Sequence, residues 1–166
     1  MLLVIFVKNI IMENSKTISV LNDLLHITND RIKGFERVEG KVWESYSDLK
    51  GEYDKMISQS KIMKNEIIDL ITHKGGNANE DTTSIAGNLH RTWIDIKNSL
   101  PVTNNDQETL ENVVFGEKHA IQAYEDALKS GNLCSESSEV IADQLKKLRV
   151  SYNQFSNIER YKNKEN

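Results

Sequence analysis

Carboxylates that fall among apolar residues are the part of this chain that could do chemistry. Glu117 lies at the centre of a helical stripe made by Leu110, Val114, Ile121 and Tyr124. A carboxylate in that position is costly unless it is paired or holds a metal. In an earlier stretch, Glu39 falls on the stripe and Glu36 lies beside it, one turn after Ile32. Asn29 lies two turns before Glu36 on the same flank, and Ser60 takes a core position in another stretch. Asn29, Glu36, Glu117 and Tyr124 are therefore the candidate interior polar residues.

Two chemistries compete for them. A carboxylate-bridged pair of iron or manganese ions needs a Glu from each of two helices and a Glu-x-x-His from each of the other two. Glu36 and Glu117 could supply the first pair. The rest is missing, because Glu66 is followed three residues on by Asp69, and the last helical stretch contains no His. His73 falls at a helix end and His119 faces away from the Glu117 stripe. The expected reading therefore has no catalytic residues, no metal and no cofactor, with iron or manganese as the alternative. In that reading Glu117 hydrogen-bonds Tyr53, Tyr124, Asn29 or Ser60 across the bundle and sets the helix register.

Other residues suggest less. Asp23 and His26 have the i,i+3 spacing of a ligand pair but are expected on a solvated face. Cys134 is the single cysteine, so no intramolecular disulfide or thiolate metal site can form. It has no evident base or cation beside it in the sequence, so an inert thiol in a reducing compartment is expected. Gly75-Gly76 reads as a helix stop, since no strand precedes it and no Lys-Ser/Thr follows.

The elements that position these residues follow from periodicity. Four long stretches, near 15–43, 48–73, 105–130 and 136–162, carry apolar residues at steps of three and four. A shorter one at 84–99 contains Trp93 and is stopped by Pro101. Asn14 or Ser15 is the expected cap of the first stretch, and Ser45 or Ser47 of the second. Short links at about 44–48 and 130–136 predict two antiparallel hairpins. The long link between the hairpins, with its short helix, can cross the bundle end to end. The predicted fold class is therefore all-α, a ferritin-like four-helix bundle with a short fifth helix in the crossover.

The chain has 166 residues, enough for one domain, and a net charge of −4 that argues against nucleic acid as a partner. Residues 1–13 are expected to form an extension outside the bundle, residues 14–162 the bundle domain, and 163–166 a frayed tail. The apolar start, MLLVIFVKNII, is far shorter than the roughly 20 residues of a membrane span and lacks a cleavage signal. Met12 opens MENSKTISVLNDLL, which reads like a natural start.

Four segments also carry a resemblance: TISVLNDLLHITNDRIKGFE, the turn KGG, SIAGNLHRTWIDIK and FGEKHAIQAYEDAL. Together, over roughly residues 14–160, they resemble the bacterial PA2169-type four-helix-bundle family, also called the DUF2383 domain. The resemblance implies a ferritin-like bundle and brings no activity. A non-catalytic cytoplasmic protein is the expectation, with a stress-associated interaction role suggested by the likeness to small ferritin-like proteins. A carboxylate metal oxidase or metal-binding protein is the alternative. Specific partners are not indicated; no membrane span is expected, and a homo-oligomer is possible.

Overall fold

The computed structural model describes residues 1–45, 47–79, 92, 95 and 106–165. Four long helices account for nearly all of them: α1 (Leu2–Ser45), α2 (Lys50–His73), α3 (Asp106–Lys129) and α4 (Ser135–Glu165). A 3-10 turn, Ser47–Leu49, leads into α2. There is no strand among the described residues. The short helix expected at 84–99, with Trp93, lies outside the described residues.

Side-chain contacts set the helix directions. Arg31 on α1 meets Ser60 on α2, while Asn22 reaches the carbonyl of Asn77 beyond the end of α2, so this pair is antiparallel. Only residues 130–134 link α3 to α4, a link short enough to make them antiparallel, and Tyr124–Gln144 and Glu125–Arg149 bond across the pair. Arg31 also meets Glu117, and Thr17 meets Asn132 just past α3. Glu52 pairs with Gln154 and Lys74 with Glu136, joining α2 to α4. Helices α1 and α4 therefore run one way and α2 and α3 the other. Helix α2 ends and α3 begins at opposite ends of the bundle.

The helix ends have local causes. At the end of α2 the Gly76 N–H donates to Ile71 O at 3.0 Å and the Gly75 N–H to Thr72 O at 2.9 Å. Gly75 has φ +77°, the left-handed conformation that this stop requires. Gly131, with φ +72°, turns the α3–α4 hairpin in the same region of backbone space. Two caps differ from expectation. Helix α1 runs straight through Asn14 and Ser15, because residues 1–12 contain neither Pro nor Gly to stop it. Helix α2 is entered at Leu49, which makes no side-chain cap, because the 3-10 turn delivers the chain into it directly; the side chain of Ser45 lies outside those described.

Two apolar clusters fill the interior. The larger contains Leu21, Leu24 and Leu25 of α1, Met63, Ile67 and Ile71 of α2, Ala120, Ala123 and Ala127 of α3, and Ile141, Leu145 and Leu148 of α4. The smaller contains Phe35, Leu49, Tyr53, Met56, Ile57, Leu110 and Phe155. Its rings stack closely, with Tyr53 and Phe155 centroids 5.2 Å apart. Between the two clusters every helix buries polar side chains: Thr28, Asn29 and Arg31 on α1, Ser60 on α2, Glu117 on α3 and Ser151 on α4. Arg31, Ser60, Glu117 and Ser151 share one level.

Candidate functional site

Those four residues meet in one layer across the bundle. The Arg31 guanidinium grips the Glu117 carboxylate with two bonds, Nε to Oε1 at 2.5 Å and Nη2 to Oε2 at 2.9 Å. Both side chains are almost wholly inside, at 4% and 2% exposure. Arg31 Nη1 donates to Ser60 Oγ, and Nη2 donates to Ser151 Oγ at 3.2 Å. Ser60 Oγ in turn donates to the Met56 carbonyl at 2.5 Å. The guanidinium carbon lies 5.0 Å from the Phe35 ring centroid, a cation–π distance. A planar fork matched to a carboxylate is the geometry in which arginine tolerates burial.

This donor set does not fit a divalent metal. Both oxygens of Glu117 are taken by a cation, and α2 and α4 present Ser60 and Ser151 at this level in place of carboxylates or imidazoles. Among the described residues no three His, Cys, Asp or Glu side chains come together as metal ligands.

A second polar layer lies toward the larger cluster. Tyr124 Oη donates to Gln144 Oε1 at 2.9 Å and lies 3.1 Å from Thr28 Oγ1. Gln144 Nε2 donates to Met63 O at 3.0 Å and to Glu66 Oε2 at 2.8 Å. All four helices contribute again. Burial pushes the Tyr124 hydroxyl up to about 12, against the opposing pull of Thr28 and Arg31.

A third cluster closes one end. Thr17 Oγ1 donates to Asn132 O at 2.9 Å and accepts the Cys134 N–H at 3.1 Å, so α1 clasps the α3–α4 turn. Cys134 precedes α4, and its Sγ lies 3.3 Å from Ser137 Oγ. Burial opposes ionisation of this thiol, but hydrogen bonds from Ser137 and Lys74 and the Lys74 charge outweigh it and hold it below the ordinary thiol value. Lys74 also pairs with Glu136 at 3.3 Å.

The four sequence candidates separate. Glu117 and Tyr124 are buried in the two layers, and Asn29 is buried on α1. Glu36 points outward, 46% exposed, and pairs with Lys61 at 3.3 Å. The side chain of Glu39 lies outside those described. The carboxylate of Glu117 is gripped by Arg31, while Ser60 bonds the same guanidinium and Tyr124 bonds Gln144 and Thr28. The Tyr53 hydroxyl is buried with no hydrogen-bond partner among the described residues. Asp23 and His26, expected on a solvated face, are buried. Helix α1 is covered over more of its circumference than a single stripe implies, since Leu21, Leu24, Leu25 and Ile27 are all fully enclosed. The cation near Cys134, sought only among sequence neighbours, comes from Lys74 at the end of α2.

Sequence reasoning missed Arg31, Ser151, Gln144 and Thr28. A signal was present for the first: Arg31 stands four residues after Ile27 and four before Phe35, both on the buried face. No curated protein and no solved structure matches the chain. A family model described as a domain of unknown function, DUF2383, matches residues 16–130. That match spans α1 from the first bundle residues, all of α2 and all of α3, and ends at Ser130. The chain belongs to the DUF2383 family.

Proposed function

We propose that this chain is a non-catalytic cytoplasmic protein with ferritin-like connectivity, an interaction protein whose bundle interior holds an ion pair where a carboxylate oxidase would hold metal. The helix directions support the connectivity: two antiparallel hairpins, with the end of α2 and the start of α3 at opposite ends of the bundle, as in ferritin-like folds. A cytoplasmic setting is supported by the free thiol of Cys134, since reducing compartments keep single cysteines reduced. No helix among the described residues is long and apolar enough to cross a membrane.

One observation carries the reading. The guanidinium of Arg31 occupies both oxygens of Glu117 in the middle of the bundle. A cation already in place neutralises the carboxylate and repels a second cation.

The test is metal-dependent stabilisation. Anything that binds the folded state alone raises its stability by mass action, about 2.7 kcal/mol at a hundredfold excess over Kd. The melting temperature of the wild type should stay unchanged on adding Fe(II) or Mn(II). A metal-dependent rise in the wild type that Glu117→Ala abolishes would reject the proposal in favour of a carboxylate-bridged metal oxidase.

A further inference from the structure

Residues 2–12, LLVIFVKNIIM, continue α1 beyond Thr17, the first buried residue of the bundle. Leu2 is 86% exposed, Val4 69% and Phe6 63%, and Leu3, Ile5, Val7, Ile10, Ile11 and Met12 are exposed as well. The largest apolar patch of a typical monomer is about 300–600 Å². Here nine of eleven successive residues, all but Lys8 and Asn9, are exposed large apolar side chains.

The pattern around the axis decides what could cover them. Successive residues of a helix are about 100° apart, so Leu2 to Val7 face every direction. A partner helix covers one face only. Two copies of this segment would share a strip about 16 Å long and about 10 Å wide. Such a strip falls well short of the roughly 1,000 Å² that a specific interface clears, and it leaves the other faces in water. Acyl chains cover all faces. At about 16 Å the segment is half the roughly 30 Å hydrocarbon thickness, long enough to lodge in one leaflet. Charge points the same way. The segment contains Lys8 and no acidic residue, although the whole chain carries −4. Lys8 and Asn9, its only polar side chains, are about 100° apart and form a narrow polar sector.

We propose that residues 2–12 are a membrane-surface anchor that inserts into one leaflet, with Lys8 and Asn9 at anionic headgroups and the apolar side chains among the acyl chains. The bundle then stands off the surface on a continuous helix. This goes beyond the reading of the interior and does not depend on it.

Vesicle co-sedimentation of the full chain tests it, with anionic phosphatidylglycerol vesicles set against zwitterionic phosphatidylcholine vesicles. The full chain should sediment with the anionic vesicles. Leu3→Asp with Phe6→Asp should weaken binding by more than about tenfold, since two apolar side chains lose their burial. Lys8→Glu should weaken binding to anionic vesicles at least about fivefold and leave binding to phosphatidylcholine unchanged. Circular dichroism and melting should match the wild type in each variant, because these side chains are exposed. A full chain that stays in the supernatant overturns the proposal, as does equal binding by the Leu3→Asp, Phe6→Asp variant. A vesicle-indifferent oligomer that this variant dissociates would assign the segment to a second copy of the chain.

Discussion

Glu117 was legible as an interior carboxylate because it interrupts a run of apolar residues at helical spacing. Its partner was not, because arginine is normally a surface residue and nothing in a linear sequence says that residue 31 faces residue 117. The distinction changes what substitution does. If Glu117 faced only hydroxyls or amides, Gln would be a near-neutral replacement. Against a guanidinium, Glu117→Gln leaves a buried positive charge without a counterion. We expect a loss of about 3–5 kcal/mol in urea unfolding, the usual cost of breaking a buried pair from one side. Replacing both residues by Met should cost far less or even stabilise, since the desolvation of both charges is removed together. Wild-type stability in Glu117→Gln would show that the pair does not hold the core. At Cys134 the direction of the thiol shift sets the pH dependence. A thiol held below its ordinary value is more ionised at neutral pH, so alkylation should reach its plateau at lower pH than for a free cysteine. Lys74→Met should move the pH midpoint of the alkylation rate upward. An unmoved midpoint would mean that Lys74 has no hold on the thiol.

The helices differ in how well periodicity described them. In α2 the stripe Tyr53, Met56, Ser60, Met63, Ile67 and Leu70, led in by Leu49 of the 3-10 turn, is buried at every position. In α3 Leu110 and Tyr124 of the stripe are buried but Val114 and Ile121 are only partly covered, and the inward face also uses Ala120, Ala123 and Ala127. Hydrophobicity ranks Val and Ile above Ala, whereas a small side chain lets neighbouring helices approach. Helix α1 was the least legible. Its upstream turns bury nothing, so no stripe marks them, and its bundle turns are covered on several sides. The stop after α2 supplies an element-scale prediction. A Cβ at Gly76 would lie 2.9 Å from two Ile18 side-chain atoms. Gly76→Ala should therefore destabilise by about 1–3 kcal/mol, the usual cost of overpacking. In a double-mutant cycle with Ile18→Ala the two costs should not add, because the second substitution removes the obstacle to the first. Strict additivity would show that Ile18 turns aside freely and that the turn is not pinned to α1.

For the whole molecule, link lengths gave more than any motif. Two short links and one long one were enough to expect two hairpins, because a short link forces neighbouring helices to be antiparallel. What they could not convey is how the interior is divided, with a polar layer between two apolar clusters and a contribution from every helix. That depends on the relative height of four helices, which emerges only when they pack. Helix α1 adds a property of its own, since one uninterrupted rod carries both Arg31 and the exposed upstream turns. A helix advances about 1.5 Å and rotates about 100° per residue. One alanine inserted after Lys16 would thus swing Lys8 by more than a quarter of a revolution about the rod and leave every contact from Thr17 onward in place. The compass bearing of the protruding end is a matter of counting residues, so evolution can dial it by insertion or deletion without touching the interior.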